Sequence, residues 1–519
     1  MTGLRRFQPS LFDFVFVLWV TVIPIGLGDR VLSTDGDLPR HLRLGEWMIA
    51  NRAMLTTDNF SYTRGGSPFV AFEWGSEVLY TAVHRIGGLA AVAVLAGIVL
   101  AFTYALLMRF LLSHGVEPLL SYLTVMAAAL LGASHWVARP HLFTMLLVVI
   151  LLTRLEEVKE RPLWWFAPLF WVWSNIHGGF VYGLVLISMY VAGDFVEWLL
   201  SKRSPEWRDR LGYHGLALVL AVGGVILNAN GYRLFLHLVA FFGQSFLMET
   251  TQEFNSPDFH HLGGKLFLYT IVLILTGLAL TRRRPSVPTL FILLANLAFA
   301  LQAQRNVELF ALTALPLIAW HLDPDWRKVP GLGRVRRAFA QESSAQHRGV
   351  PSVIFGVEMV VLALFGAKVG SREIIPSGFD PKIFPVAAVT RAREEHLTGR
   401  IYSEFIWGGY LLYAWPDQKV FIDGGTDHYG EDLVKQHIQL VTLQPGWRDV
   451  LTHWDISLAL LATDAPLAHE LAREPGWRVR FCDPTAVMLE RSGVADDPPG
   501  RSTTELMACF HAKEKADQS

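Results

Sequence analysis

The sequence predicts an α-helical multi-pass membrane protein of about eleven spans with a small C-terminal α/β domain outside the membrane. Three observations carry that prediction. Apolar runs of spanning length recur from residue 11 to 369, Lys and Arg gather in alternate loops, and short strands alternate with helices after residue 370. Of 519 residues, 52% are hydrophobic and 18% charged, with a mean hydropathy of +0.34, which excludes an ordinary soluble enzyme. A formal net charge of −1 argues against a nucleic-acid partner. The 17 Trp and 33 Phe suit aromatic belts at the two interfaces.

The first run, 11–28, follows Arg5-Arg6, and no small-residue cleavage site precedes the polar loop, so it reads as a retained span. The remaining runs are 88–111, 118–135, 141–154, 163–175, 180–200, 212–228, 265–281, 286–302, 307–322 and 351–369. Segment 234–248 is apolar but bracketed by polar turns, as in a re-entrant or interfacial helix. Basic clusters occur at Arg5/Arg6, Arg154/Lys159/Arg161, Lys202/Arg203/Arg208/Arg210, Arg282/Arg283/Arg284 and from Arg327 to Arg348. The positive-inside rule turns these loops and the N-terminus to the cytoplasm. An odd number of spans then puts the segment after Gly370 outside. The expected organisation is a membrane domain over 1–370 with a first outer loop at 29–87, an outer α/β domain over 371–493, and a disordered tail over 494–519.

Within the outer domain, Lys419–Asp423, Ile456–Ala462, Trp477–Asp483 and Ala486–Arg491 read as strands. Glu431–Leu443, Trp447–Trp454 and Pro466–Glu474 read as helices. Cys482 and Cys509 are the only cysteines; an oxidising compartment permits a disulfide, and counting alone leaves a buried Cys482 with a free Cys509 equally open.

The loops opposite the basic ones hold the polar motifs. Ser33-Thr34-Asp35-Gly36-Asp37-Leu38-Pro39-Arg40-His41 puts two carboxylates and an imidazole at the mouth of a span. Near a low-dielectric boundary a carboxyl pKa rises toward the working range of a general base. Asp35 and Asp37 could equally ligate a divalent cation, and the bland reading is a helix cap or turn. The same loop carries Asp58 and Glu73, secondary carboxylate candidates whose duller role is capping and interface packing. Arg139-Pro140-His141 and Arg305 offer donors to a phosphate, against the positive-inside trend; the alternative is a snorkelling helix end. Asn175, with His177 ahead of Gly178-Gly179, marks a helix break that could line a polar cavity or simply turn the chain. Glu253 lies in a further outer loop that could meet the site.

Taken together, Asp37-Leu38-X-X-His41-Leu42-X-X-Gly45, Glu73-Trp74, Arg139-Pro140-His141, Asn175-X-His177-Gly178-Gly179 and Arg305-Asn306 resemble a bacterial family of polytopic proteins grouped with the GT-C glycosyltransferases. Trp407-Gly408-Gly409-Tyr410-Leu411 and Val420-Phe421-Ile422-Asp423-Gly424-Gly425 extend the resemblance into the outer domain. It implies a mannosyltransferase-like, inverting enzyme of the inner membrane that transfers a hexosyl or pentosyl unit from a polyprenyl-phosphate sugar to an envelope glycan, lipid or protein. It also implies a catalytic Asp in the first outer loop, which falls on Asp37 with Asp35 as competitor. His41, Asp58, Glu73, Arg139, His141, Asn175, His177, Glu253 and Arg305 become substrate-binding candidates, and a divalent cation is the possible cofactor. One departure stands out: many relatives have Arg where this chain has Gly425. Two other classes stay open, a lipid or solute transporter or flippase and a non-catalytic envelope assembly protein. The first predicts ionisable groups in mid-span and related halves, which the sequence lacks. The second makes Trp407–Leu411 a binding surface rather than a core strand and turn.

Overall fold

The computed structural model describes residues 9–158, 162–343, 350–491 and 501–517. The chain divides into two compact units. One comprises Met1–Val31, Ala90–Tyr232 and Met248–Ile375; the other comprises Leu32–Leu89, Arg233–Leu247 and Pro376–Ser519.

The first unit is helical. Helices occupy all eleven apolar runs of the chain, and their ends follow local chemistry. The Leu11–Thr21 helix opens with a capping box, in which Ser10 Oγ accepts the Asp13 N–H (3.2 Å) and the Asp13 carboxylate accepts the Ser10 N–H (3.1 Å). Asp13 also accepts the Ser352 hydroxyl at 2.6 Å, which ties on the Val350–Leu364 helix. Prolines stand in the first turns at Pro118, Pro205 and Pro288, where their missing N–H costs nothing. Residues Val307–Ala319 of the Val307–Trp326 helix are all buried, as expected of a helix apolar all round at the centre of a bundle. Buried Asp194 and His214 pair at 2.5 Å between Phe180–Leu200 and Pro205–Ile226, and His214 Nε2 meets the Leu155 carbonyl. A two-strand hairpin, β1 (Lys368–Val369) and β2 (Arg372–Glu373), closes this unit.

The expected count of eleven spans is not met by length and composition. Among the described residues, five helices are long and apolar enough to cross a membrane: Trp74–Ser113, Pro118–His135, Phe180–Leu200, Pro205–Ile226 and Leu262–Leu280. The other runs form shorter or more polar helices; the first, for example, passes into a π turn at Val22–Gly26 around Pro24. The Trp74–Ser113 helix extends well before the expected start at 88 and kinks at Gly87-Gly88.

The second unit is built on a four-stranded sheet of order β3-β4-β6-β5, with β3 at Arg400–Ser403, β4 at Ile456–Ala462, β5 at Trp477–Cys482 and β6 at Ala486–Arg491. β3 and β4 are parallel, and β6 runs antiparallel to β4 and β5. The nearly unbroken apolar run Ile456-Ser457-Leu458-Ala459-Leu460-Leu461-Ala462 suits a strand paired on both edges. The first outer loop folds into this unit instead of standing as a separate connector: its Asp37–Asn51 helix packs on the Phe405–Ala414 helix.

Three expectations are corrected here. Lys419–Asp423 is not a strand; Val420 makes only isolated bridges, to Ser61 and Ile401, because Asp423 accepts the Gly425 N–H (2.8 Å) and turns the chain away. Trp407–Leu411 is neither strand and turn nor a surface, but a buried stretch of helix. The tail carries a helix at Arg501–Asp517, anchored by a Cys482–Cys509 disulfide and by Lys513 on Asp464 (2.7 Å). Residues 492–500 of the expected tail and domain boundary lie outside the described residues.

Candidate functional site

In the second unit the Asp37–Asn51 helix places its chemistry at helical spacing, with Asp37, Arg40 and His41 on adjoining turns. Asp35 accepts the Asp37 N–H at 3.1 Å, an Asx turn that starts the helix. Asp37 is the first helical residue, where the macrodipole favours a carboxylate. The Gly424 backbone closes directly on it, and a Cβ there would fall on Asp37 Oδ1. Arg40 is buried, with Nε 2.9 Å from Asp423 Oδ1. Burial opposes its charge, but Asp423, Asp427, Glu77 and Asp37 outweigh that and hold the proton firmly. A Cβ on Gly425 would stand 2.5 Å from the Arg40 guanidinium.

His41 is buried between two carboxylates, with Nδ1 3.2 Å from Glu77 and Nε2 3.9 Å from Glu73. Burial alone would lower its pKa; the Glu77 hydrogen bond and both carboxylate charges raise it above the ordinary 6.5. Glu73 is pushed up to about 7, chiefly by burial, with His41 opposing. Asp427 is held ionised despite its burial by His237, 3.0 Å away.

In the first unit, Glu253 bridges two guanidiniums, Arg139 at 2.7 Å and Arg305 at 3.9 Å. Two 3-10 turns, Gln252–Phe254 and Gln304–Asn306, set this geometry. They are pinned together where the Gln304 N–H and side-chain amide donate to the Asn255 and Gln252 carbonyls (both 2.8 Å). Arg305 also lies 4.8 Å over the Phe254 ring. Burial would raise the Glu253 carboxyl, but Arg139 and then Arg305 bring it down to about 2. His141 abuts this group, its Nε2 bonded to the His135 carbonyl at 2.6 Å.

The three-dimensional arrangement can be compared with known proteins. The apo oligosaccharyltransferase of Archaeoglobus fulgidus matches with a TM-score of 0.54 at 14% identity, over 94% of this chain and 75% of that one. ArnT from Cupriavidus metallidurans bound to undecaprenyl phosphate matches with a TM-score of 0.50 at 14% identity, over 93% of this chain and 99% of that one. The fold is GT-C-like. No family model matches the sequence, and no curated protein matches it. At this identity the shared property is the fold.

On this GT-C-like scaffold, the structure groups Asp37, His41 and Glu73 in one unit and Arg139, Glu253 and Arg305 in the other. The remaining candidates have partners in their own surroundings. Asp58 is buried and accepts the Phe60 and Ser61 N–H groups, the Ser61 hydroxyl and His428, bonds that outweigh burial and lower its carboxyl to about 2. Asn175 accepts the Ala229 N–H (2.9 Å) and donates to Trp171, joining a helix end to the Asn228 turn. His177 Nδ1 accepts the Gly179 N–H at 3.0 Å and lies 2.8 Å from the Thr144 hydroxyl. Among the described residues, no group of three or more His, Cys, Asp or Glu side chains could hold a metal ion. The donor set around Asp35 and Asp37 does not fit one: Asp35 Oδ1 is engaged with backbone, and Arg40 supplies the local positive charge.

Sequence reasoning did not single out Arg40, Glu77, Asp427 or His237. The signals were present for two of them: Arg40 lies one turn after Asp37, and Glu77 one turn after Glu73.

Proposed function

We propose that the protein is an inverting glycosyltransferase of the inner membrane, moving a sugar from a polyprenyl-phosphate donor to an envelope acceptor on the outer face. In this reading the N-terminus is cytoplasmic and the α/β part extracytoplasmic. The observation that carries the proposal is the setting of Asp37: a carboxylate at a helix start, beside one buried Arg40 that several carboxylates share. The GT-C-like fold supports it, because one neighbour of that fold is described as bound to undecaprenyl phosphate.

In the first unit, Arg139 and Arg305 offer guanidinium forks that match a phosphate in charge and geometry. Asp37 takes the proton of an acceptor hydroxyl. The freed oxygen attacks the anomeric carbon opposite the phosphate, the bond from that carbon to the phosphate oxygen breaks, and polyprenyl phosphate departs. The configuration inverts. Positioning and stabilisation of the departing phosphate supply most of the rate.

The test is transfer by the full-length protein in proteoliposomes, with lipid extracts used to supply donors. Asp37→Asn should abolish transfer while the protein remains inserted and folded, and Arg305→Ala should weaken donor binding. Undiminished transfer by Asp37→Asn removes the base assignment. Absence of transfer by the wild-type protein itself favours the assembly-protein alternative.

A further inference from the structure

The parallel pair in the sheet points to a second site. In α/β sheets, ligands bind beyond the carboxyl ends of parallel strands. Only β3 and β4 are parallel among the described strands, and a cavity of about 410 Å³ opens where they end, at Glu404 after β3 and Ala462 in β4. That volume is of the class that takes one or two small rings.

The lining combines positive charge with acceptors. Lys382 reaches the cavity from the segment before the Val386–Glu394 helix, and among the described residues no carboxylate pairs with its ammonium. Lys513 reaches it from the tail helix, which the disulfide holds in place, and shares its charge with Asp464. The ten-residue Phe405–Ala414 helix starts at the cavity wall, and the N–H groups of its first turn lack intrahelical partners. Thr485 donates its hydroxyl proton to the Pro381 carbonyl (2.7 Å), which leaves its oxygen to accept from a ligand hydroxyl. Glu404 accepts the Ala462 N–H, and burial raises its carboxyl. Ile406, 40% exposed, supplies an apolar patch, and its carbonyl lies against Gly36, next to Asp37.

We infer that this cavity binds an anionic sugar-sized ligand, with its carboxylate or phosphate at Lys382 and the helix start and its hydroxyls at Thr485 and Glu404. Two lysines, one helix N-terminus and two hydroxyl acceptors around an open pocket fit an acidic monosaccharide better than a neutral one.

The experiment is ligand binding to the full-length protein in nanodiscs, followed by saturation-transfer NMR or calorimetry, with glucuronate, glucose 6-phosphate and glucose as probes. At least one of the two anions should bind where glucose does not, and Lys382→Gln should weaken that binding roughly tenfold or more, the usual loss for a charge-assisted bond. Binding by glucuronate alone identifies the carboxylate as the recognised group, and by glucose 6-phosphate alone the phosphate. Lys382 is exposed, so its substitution leaves the fold intact, and Thr485→Val serves as an independent variant that should lower affinity for whichever anion binds. Failure of both anions to bind overturns the inference. So does equal binding of glucose, or anion binding unchanged by Lys382→Gln. None of these readouts depends on transfer activity.

Discussion

The Arg139–Glu253–Arg305 bridge makes the sharpest prediction, because Glu253 occupies the donors that a phosphate would need. Any phosphate taking those guanidiniums must compete with a carboxylate already 2.7 Å from Arg139 and 3.9 Å from Arg305. The strength of the competitor follows from its proton affinity. Burial works to raise the Glu253 carboxyl, yet Arg139 and Arg305 bring it from 4.5 to about 2. At about 1.4 kcal/mol per tenfold, this corresponds to roughly 3 kcal/mol in favour of the charged form. The side chains are a quarter to a third exposed, so water and salt return about half of it, leaving on the order of 1.5 kcal/mol. Glu253→Gln keeps the shape and removes the charge. It should therefore tighten binding of a short-chain polyprenyl phosphate by about tenfold, while Arg139→Gln weakens it. The sign in pH is fixed as well: a carboxyl held low keeps its charge, and its stabilisation, above its unfolded value near 4.5 and loses it only as pH falls toward about 2. The gain from Glu253→Gln should thus be flat across neutral pH and shrink with added salt. Thermophoresis in nanodiscs at two ionic strengths measures both. Unchanged or weaker binding by Glu253→Gln refutes the competition. If Arg139→Gln also leaves affinity unchanged, the phosphate assignment goes with it.

Three further outcomes are expected. Gly425→Ala drives a methyl to 2.5 Å from the Arg40 guanidinium and should cost about 1–3 kcal/mol, read as a lowered unfolding midpoint with a matching loss of transfer. Glu73, raised to about 7, favours folding below its unfolded value near 4.5 and loses that contribution as pH rises through about 7. Wild type should therefore lose stability relative to Glu73→Gln between about pH 4.5 and about pH 7, and parallel melting curves would contradict the burial of that carboxyl. Serine at both Cys482 and Cys509 opens a loop of 27 residues, worth up to about 3.5 kcal/mol of chain entropy, and should expose the tail helix to limited proteolysis.

What the sequence revealed and what it concealed divide along the range of the interaction. Apolar length and capping chemistry are local, so a helix stands at every apolar run and β4 and β6 occupy the segments read as strands. The number of spans was less legible, because apolarity does not say whether Pro24 will turn a helix into a π segment or where the Trp74–Ser113 helix will begin. Asp37, His41 and Glu73 could be singled out one by one, since a carboxylate or imidazole at a helix mouth is anomalous against its local background. Their environment could not, because partners distant in sequence make it: Glu77 stands 36 positions from His41, Asp423 pairs with Arg40, and Gly424 and Gly425 provide the closeness. Asp58 and Asn175 are as polar as Asp37, but backbone N–H groups are among their partners, two and three residues on for Asp58 and 54 positions on for Asn175. A polar residue whose needs are met by backbone is bound to its fold, whereas Arg40, Glu73 and His41 are met chiefly by other ionisable side chains, whose charges a substrate can shift. That distinction is invisible in composition and spacing, because it depends on which partners the fold brings to each side chain.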